Sequence, residues 1–414
     1  MRDTELYARI LGVERPWRVS GVELRLEVGE VEVFVEHGGA GKLACPECGE
    51  PASRYDRRER RWRHLDTCQY RTILVAQVPR VKCSEHGAKT IRVPWAEPGS
   101  PFTALFEALV IDWLRAATTQ GVARLLGLSW DQVDGVMQRA VRRGLARREL
   151  RAPRRVGVDE TSFQRRHEYV TVVADAEQGV VHHVADGRGK DALASYYDGF
   201  EPAELARIQS VAMDMWGPYI AATVAALPDA EAKIAFDKFH VAMHLGAAVD
   251  RVRRAENRAL RAQGDETLAG TRHLWLYHPD HLPVGQAARF EALLSKALKT
   301  SRAWMLKELA MEMWECRDRQ EARAIFASWY TWAIRSRLAP MRRVASMIKR
   351  HLEGILNAIV ARVTNARIEG LNTRIQHLKR SARGFRNRER FRHAIYFHLG
   401  GLDLYPAAVT HSHS

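Results

Sequence analysis

The sequence has no apolar run long enough to cross a bilayer, which takes about 18 consecutive apolar residues. Its first ten residues, MRDTELYARI, also lack the apolar core of a secretory signal peptide. We therefore expect a soluble, cytoplasmic protein that has no membrane partner.

Cysteine is scarce as well, with five residues in a chain of 414. So few cysteines do not form a disulfide framework, and all but one lie in the first quarter of the chain. Cys45 and Cys48 form a Cys-x-x-Cys knuckle in CPECG, and Cys83 and His86 form a second pair in KCSEHG. Two such pairs can surround one tetrahedral ion, so the sequence predicts a structural zinc site.

Other interpretations of this region remain open. His64 and Cys68 lie between the two pairs and could supply the fourth zinc ligand, although His64 in RHLD is better explained as a structural histidine beside a strand. A redox pair or buried thiols would also account for CPECG. Its proline and glycine, and a cytosolic setting, favour metal binding.

Acidic residues are outnumbered, because 64 lysines and arginines against 49 aspartates and glutamates give a net charge of +15. Clustered positive charge favours a polyanionic partner, and nucleic acid is the leading candidate. A chain of this length suggests about two to three domains.

The N-terminal third combines strand and helix patterns. Residues 22–37 alternate apolar and polar positions, which predicts an antiparallel pair of strands. Residues 101–148 carry three helical patterns, and the turn GLS before the third, with Ser129 as N-cap, matches a helix-turn-helix. Three helices packed without DNA contact would give the same pattern.

In a helix-turn-helix the third of these helices would enter the major groove. Its N-terminal residues would face bases, and its arginines would lie nearer phosphates. The residues expected to contact DNA here are Trp130, Gln132, Arg139, Arg142 and Arg143.

Two aspartates close short apolar strands, since Asp159 ends the strand RRVGVDE and Asp214 ends QSVAMD. Two further strand patterns and a helical pattern lie between them, and a helix and the strand AKIAFD follow. The succession strand, strand, strand, helix, strand is that of the α/β layer of ribonuclease H. In that layer the acids lie on the first strand, after the fourth strand and on a later helix.

The choice of acids has alternatives. Alternation along the first strand puts residues 157, 159 and 161 on one face, so Asp159 and Glu160 cannot both point inward, and we favour Asp159. Asp214 could instead cap the helix that follows it. Other acids that end strand-like runs could replace Asp214: Asp175, Asp186 and Asp237.

A third acid, Glu369, lies on a helical pattern. Apolar residues recur at helical spacing through this segment at Ile368, Leu371, Ile375 and Leu378, and Glu369 is off that stripe, on a polar face. Basic residues follow densely and suit a phosphate backbone. The residues expected to hold DNA here are Asn372, Lys379, Arg380, Arg383, Arg386 and Arg388.

Three carboxylates of this kind can hold two divalent cations about 3.5–4 Å apart over a phosphodiester. Magnesium prefers oxygen ligands and keeps several waters, so Asp159, Asp214 and Glu369 would suffice for magnesium or manganese.

The strings CPECG, RWRHLD, VGVDETSF, MDMWGPY, FDKFH and IEGLNTRIQHLKRSARGFRNRERF, in that order, resemble the ISL-three family of bacterial insertion-sequence transposases. The resemblance runs from about residue 40 to about residue 400. It implies a DDE transposase with Asp159, Asp214 and Glu369 as metal-binding acids, and with Asp237 and His240 of FDKFH as accessory residues. It also implies that the zinc module and the helix-turn-helix recognise the ends of the element.

More than a hundred residues separate Asp237 from Glu369, and they carry long helical patterns that predict an all-helical insertion, which the family also has. Four tryptophans there are expected in its core (Trp304, Trp314, Trp329 and Trp332), and Cys316 is expected to be a buried thiol. We thus expect five segments: a β region with the zinc module (1–98), the helix-turn-helix (99–150), the first part of a ribonuclease-H-like core (151–240), the helical insertion (241–360) and the last part of the core (361–404).

The sequence therefore predicts a transposase that binds double-stranded DNA at the inverted repeats of its own element. It would cleave the ends by two-metal-ion hydrolysis and join the 3′-hydroxyls to target DNA. Pairing of two ends implies a homodimer or a larger assembly, associated with the nucleoid. A catalytically silent DNA-binding regulator, or a nuclease or resolvase without strand transfer, is the alternative.

Overall fold

The computed structural model describes residues 2–39, 41–164, 168–277, 282, 285–361 and 366–407. The chain forms two compact units: an N-terminal unit, which contains the residues up to Arg148 and those from Arg392 onward, and a central unit of Glu149–Phe391. The segment predicted as 361–404 is thus divided between the units. The reason is that Arg147 binds the Asp403 carboxylate and the Tyr405 carbonyl oxygen, each at 2.7 Å.

A mixed sheet is the main structure of the N-terminal unit. Its strands follow a short helix and pair in the order β1-β2-β5-β4-β3, with β6 beside β5. The antiparallel pair predicted at 22–37 is present, since Arg25 of β1 pairs with Glu30 of β2, but β1 begins earlier, at Trp17. The elements are α1 (Asp3–Ile10), β1 (Trp17–Arg25), β2 (Glu30–His37), β3 (Leu43–Ala44), β4 (Pro51–Arg63), β5 (Arg71–Cys83) and β6 (Gly87–Thr90).

Three helices complete this unit: α2 (Ala104–Ala116), α3 (Thr119–Leu126) and α4 (Trp130–Arg147). Each begins at a hydroxyl N-cap, which satisfies a backbone N–H of the first turn; the caps are Thr103, Thr118 and Ser129. Gly127, with φ +63°, ends α3 and allows the tight turn into α4.

His64 links the sheet to these helices. It is buried, and its Nδ1 lies 2.9 Å from Oγ1 of Thr103, the cap of α2. Burial, and then the charge of Arg63, lower the pKa of His64 to about 4, so the ring is neutral at physiological pH. The expectation of a structural role for His64 is confirmed.

A five-stranded sheet organises the central unit, in the order β11-β10-β7-β8-β9. Strands β7, β8 and β9 form an antiparallel meander, whereas β10 and β11 run parallel to β7. The predicted succession of strands and helices is present. The elements are β7 (Arg155–Gln164), β8 (Glu168–Asp175), β9 (Val180–Asp186), α5 (Lys190–Tyr197), α6 (Pro202–Leu205), β10 (Ser210–Met213), α7 (Gly217–Ala226), α8 (Ala230–Lys233) and β11 (Ile234–Phe236).

Helices follow β11 to the end of the described chain. They are α9 (Lys238–Arg261), α10 (Ala287–Leu294), α11 (Lys299–Met311), a 3₁₀ turn (Glu312–Glu315), α12 (Arg319–Arg335), α13 (Ala339–Arg350), α14 (Leu352–Val360), α15 (Ala366–Ser381) and α16 (Arg388–Leu399). None of the helices in the described part of the chain is both long and apolar enough to span a bilayer.

The tryptophans of these helices differ in burial. Trp304 and Trp329 lie in the core, as does the thiol of Cys316, and Trp314 is half-buried. For Trp332, which is 63% exposed, the expectation was wrong. The buried stripe of α12 passes through Phe326, Trp329 and Ala333, and Trp332 lies beside that stripe.

The two faces of β7 have different partners. Val156 and Val158 point into the main core of the central unit. Gly157, on the opposite face, lies so close to α15 that a Cβ there would be 2.2 Å from Cδ1 of Ile368. Only glycine fits at this position, and the close approach brings α15 against the strand that carries Asp159.

Replacing Gly157 by Ala should lower the free energy of unfolding by about 1–3 kcal/mol, because the added methyl group overpacks the contact with Ile368. Thermal or denaturant unfolding measures this change. In the double variant with Ile368→Ala the loss should be smaller than the sum of the two single losses. Gly370→Ala, on an open position of the same helix, is the control and should not destabilise the protein. Additive losses would contradict the packing argument.

Candidate active site and zinc site

The strand register aligns the aspartates at one level across the central sheet. Strand β10 pairs with β7 so that Ala212 lies opposite Gly157, and the same register continued by two residues puts Asp214 opposite Asp159. Asp237 follows β11 in the same way. Asp214 and Asp237 therefore follow the carboxyl ends of β10 and β11, which is where open α/β sheets bind ligands. Asp159 lies level with them in the middle of β7, which continues to Gln164 and does not end at this acid as the sequence pattern predicted.

Asp159 is held by two donors. The backbone N–H of Glu160 donates to its Oδ1 at 2.7 Å, and the Asn372 side-chain amide donates to its Oδ2. Burial, followed by the negative charge of Asp214, raises the pKa of Asp159 to about 7. The carboxylates are thus crowded enough to repel one another.

Asp214 is paired with His240, whose Nε2 lies 2.6 Å from Oδ1 of Asp214. Burial lowers the pKa of His240, but the hydrogen bond and the charge of Asp214 outweigh it and raise the pKa above its ordinary value. Asp214 does not cap α7, since the N-cap of that helix is Trp216.

Asp237 and Glu160 lie near the Asp214–His240 pair. Asp237 caps α9, where its Oδ1 accepts the N–H of Phe239 at 3.2 Å, so it fixes the start of the helix that carries His240. Glu160 points away from Asp159, toward Arg188 at 3.7 Å. One carboxylate oxygen of each acid is buried without a hydrogen-bond partner among the described residues.

Sequence reasoning missed the aromatic partners of Arg188. Its guanidinium lies 4.3 Å from the ring centre of Tyr169 and 4.9 Å from that of Trp216, whose indole N–H donates to the Arg188 carbonyl oxygen at 2.9 Å. The available signal was the position of Trp216, two residues after Asp214.

The other candidate acids lie elsewhere. Asp175 pairs with Val156 near the opposite end of β7 and accepts the N–H groups of Glu177 and Gln178 in the turn that follows β8. Asp186 ends β9, two strands away from β7. The structure thus gives Asp175 a role in a turn and separates Asp186 from Asp159, Asp214 and Asp237.

Glu369 is connected to the site through α15. Along this helix Asn372 contacts Asp159, Gln376 donates to Oγ1 of Thr161 at 2.8 Å, and Lys379 donates to the Ser162 carbonyl oxygen. Contacts at this spacing define one helical face, and Glu369 lies on it, one turn before Asn372. It is exposed and makes no hydrogen bond to a described residue, whereas Ile368, Leu371 and Ile375 are buried as expected.

The zinc knuckles come together in the N-terminal unit. The ligand atoms of Cys45, Cys48, Cys83 and His86 all lie within 4.8 Å of one another, and the Sγ atoms of Cys48 and Cys83 are 3.8 Å apart. Tetrahedral zinc with bonds of about 2.3 Å would separate two sulfurs by about 3.8 Å. This donor set fits structural zinc, and across the described ranges no other group of three Cys, His, Asp or Glu side chains is as tightly clustered.

The local backbone explains the cluster. Gly49, with φ +79°, closes the first knuckle through a 2.9 Å bond from its N–H to the Cys45 carbonyl oxygen. A backbone N–H and the ring of His86 are the main groups that lower the pKa of Cys83, to about 6, which favours the metal-binding thiolate. His64 lies elsewhere, as described above, and Cys68 is an exposed turn residue.

A model of the ISL3-type DDE transposase family, described as transposase, matches residues 156–395, more than half of the chain. The chain belongs to the ISL3 family of transposases. A model for the zinc finger of the IS204/IS1001/IS1096/IS1165 transposases matches residues 42–86, and one for the helix-turn-helix domain of transposase family ISL3 matches residues 91–141. The resemblance inferred from the motifs is confirmed.

Two similar proteins carry the same description. The transposase of insertion sequence element IS1557 from Mycobacterium tuberculosis is 30% identical over 419 residues, covering 94% of this chain and 93% of the relative. The transposase of IS1001 from Bordetella parapertussis is 27% identical over 354 residues, covering 84% and 87%.

Several predicted DNA contacts on α4 of this ISL3 transposase have structural partners instead. Arg139 donates to Glu107 at 2.7 Å, and Arg143 is bound to Glu97, Glu107 and the Leu404 carbonyl oxygen. Because the Glu107 side chain is only 1% exposed, these arginines neutralise a buried charge.

At the start of α4, Trp130 is half-buried, and the Gln132 side chain accepts the N–H of Ser129 in a capping box. Arg142 is exposed and has no ion-pair partner among the described residues. Of the three α4 arginines predicted to reach phosphates, only Arg142 keeps its guanidinium available.

The basic residues of α15 and beyond divide in the same way. Asn372 binds Asp159 and Lys379 binds the Ser162 carbonyl oxygen, so these two side chains help to hold the fold together. Arg388 pairs with Glu168 at 3.1 Å and stays 42% exposed. Three arginines remain exposed without an ion-pair partner among the described residues: Arg380, Arg383 and Arg386.

Replacing Cys45 and Cys83 by Ser should remove one zinc ion per chain and unfold the β3–β6 region, because zinc binding supplies folding free energy to such modules. Metal analysis and circular dichroism measure both effects. The matched control is Cys68→Ser, which should retain zinc. Protein made under reducing, zinc-replete conditions that contained no zinc would refute the assignment.

Neighbouring arginines on α4 should behave in opposite ways. Arg143→Ala should lower the free energy of unfolding by about 3–5 kcal/mol, since it leaves Glu107 buried and poorly compensated. Arg142→Ala should leave the melting temperature unchanged and reduce the slope of log affinity for DNA against log salt by about one unit. If Arg143→Ala instead kept the wild-type melting temperature and reduced this slope, Arg143 would contact a phosphate, as the sequence predicted, and the stability argument would be wrong.

Proposed function

We propose that this ISL3 transposase is a two-metal-ion DDE enzyme in which Asp159, Asp214 and Glu369 hold magnesium or manganese. The observation that carries the proposal is the register of β10 on β7, which aligns Asp214 with Asp159. The strand order β11-β10-β7-β8-β9, with its antiparallel meander followed by two parallel strands, supports a ribonuclease-H-like core. Helices α9–α14 would then be an insertion before the third acid.

The donor chemistry of the site fits divalent cations. Burial, and then the charge of Asp214, make Asp159 difficult to ionise, and buried oxygens of Glu160 and Asp237 lack hydrogen-bond partners among the described residues, so carboxylate oxygens are left for a cation to bind. A hard cation prefers such carboxylate oxygens. When bound, the metal pair supplies an activated water or 3′-hydroxyl and stabilisation of the leaving oxygen.

The residues around the acids would orient them. The Glu160 backbone N–H and Asn372 each hold one oxygen of Asp159, and His240 holds one oxygen of Asp214, so both carboxylates would be fixed in orientation for a ligand. Exposed Glu369 would complete the triad from α15. The family and the helix-turn-helix match support DNA as the partner.

We infer that the protein acts on double-stranded DNA at the inverted repeats of its element. The zinc module and α2–α4 would recognise the ends, with Arg142 on a phosphate, and Arg380, Arg383 and Arg386 would contact the backbone near the acids. Because two ends must be paired, the active form would be a homodimer or a larger assembly on nucleoid DNA. Intact acids argue against a silent regulator.

Asp159→Asn, Asp214→Asn and Glu369→Gln should each abolish magnesium-dependent cleavage of end DNA while leaving binding nearly intact, because each removes a metal ligand and no DNA contact. Cleavage and gel-shift assays on one preparation measure both. Asp198→Asn, an exposed carboxylate at the end of α5, is the control. Cleavage retained in Asp214→Asn but lost in Asp237→Asn would move the second acid to Asp237.

The joining step needs its own assay. Pre-cleaved ends with free 3′-hydroxyls, mixed with a target plasmid and magnesium, should yield joined products in the wild-type protein and none in Asp159→Asn. Cleavage without any joining would instead identify a nuclease or resolvase.

A further inference from the structure

A continuous stripe of side chains runs along the solvent side of α9. Its members follow one another at intervals of three or four residues: His240, His244, Ala247, Arg251, Arg254, Arg258 and Arg261. We call these residues the α9 stripe. Residues at this spacing share one helical face, so the stripe keeps its direction from one end of the helix to the other.

The opposite face of α9 anchors the helix. Val241, Leu245, Val249 and Val252 are buried in the core of the central unit, where α11 and α13 pack against them. The stripe residues from Ala247 onward are exposed to solvent, and Arg254 among them contacts the Asp250 carboxylate. A rise of 1.5 Å per residue gives the stripe a length of about 32 Å.

The stripe carries much more positive than negative charge. Arg251, Arg258 and Arg261 form no ion pair with any residue that the structure describes. Arg254 lies 3.1 Å from Asp250, but that carboxylate is shared with Arg253. Exposed arginines lined up in this way repel one another, so a row in which three have no ion pair among the described residues favours a polyanionic ligand.

The segment between α9 and α10 adds a basic residue beside the middle of the stripe. Arg272 faces it across a cleft of about 290 Å³ that is also lined by Arg251, Arg254, Asp250 and Leu276. Leu276 lies over Gly246, where a Cβ would be 3.6 Å from its Cδ2, so this wall of the cleft packs closely on the helix. Three guanidinium groups around one cleft suit a phosphate group, which they can bind in a bidentate manner.

The stripe begins at the candidate active site, since its first member, His240, is bonded to Asp214. A DNA strand with a phosphate at the acids could continue along α9 without changing direction. At 3.4 Å of axial rise per nucleotide, about 32 Å corresponds to roughly nine nucleotides.

We propose that the α9 stripe, together with Arg272, binds the phosphate backbone of the DNA that leads away from the acids. The proposal rests on the proposed DNA-cleaving function and adds the surface that holds the substrate on one side of the cut. Because the contacts are to phosphates, they should bind DNA of any sequence.

The test is a salt series with the full-length, zinc-loaded protein and a labelled end fragment, without added magnesium or manganese. Arg251→Ala/Arg258→Ala should reduce the slope of log affinity against log salt by about two units, one for each lost phosphate contact. The matched control is Arg335→Ala/Arg342→Ala, which removes the same charge from exposed sites on α12 and α13 and should keep the wild-type slope. Both double variants should melt like the wild type, since the four side chains are exposed.

The outcomes separate the stripe from the proposed function. If Asp159→Asn loses cleavage but the stripe variant keeps the wild-type slope, the stripe proposal fails and the function stands. If the wild type does not cleave but the stripe variant still loses slope relative to the control, the function fails and the DNA-binding stripe stands. Equal losses of slope in the stripe and control variants would overturn the stripe, because they would reflect only the overall charge of the protein.

Discussion

The packing of α15 on one face of β7 is the contact on which the candidate site depends. Gly157 allows Ile368 to approach the strand, and the same approach brings Asn372 to Asp159. Without it the third acid would have no fixed relation to the first two, because more than a hundred residues separate Glu369 from Asp237 in the chain. The chain leaves the sheet after β11 and returns through α15, which contacts β7, the central strand of the same sheet.

The central unit places several carboxylates together in a protein that is strongly basic as a whole. Asp159 lies beside Asp214, and burial and then the charge of Asp214 raise the pKa of Asp159, while the protein as a whole carries a net charge of +15. Such an arrangement suits a ligand that is itself mixed, a phosphate backbone with divalent cations between it and the protein. His240 connects the two regions, since it pairs with Asp214 and starts the arginine stripe of α9.

The arginines serve two purposes that composition cannot separate. Arg139 and Arg143 neutralise the buried Glu107, whereas Arg142 and Arg383 lie in solvent. A buried ion pair is hard to lose, because the remaining charge would be left without water. Basic residues that look equivalent in the sequence should therefore affect stability in one case and DNA affinity in the other.

Features coded by local spacing could be predicted from the sequence. Strand alternation placed Asp159 on the face that α15 covers, helical periodicity separated Glu369 from the apolar stripe, and the two knuckles gave the zinc ligands that cluster in the structure. The motifs also led to the ISL3 family. Each signal depends only on neighbours within a few residues, where backbone geometry fixes which side chains share a face.

Only the tertiary structure determined which distant residues each side chain contacts and which side chains stay exposed. The partners of Arg143, the alignment of Asp214 with Asp159 and the exposure of Trp332 depend on residues far away in the chain. Periodicity shows which face of an element a residue occupies, but it does not show what packs against that face. An arginine bound to a distant glutamate and an arginine free to bind phosphate therefore look the same in the sequence, and only the fold tells them apart.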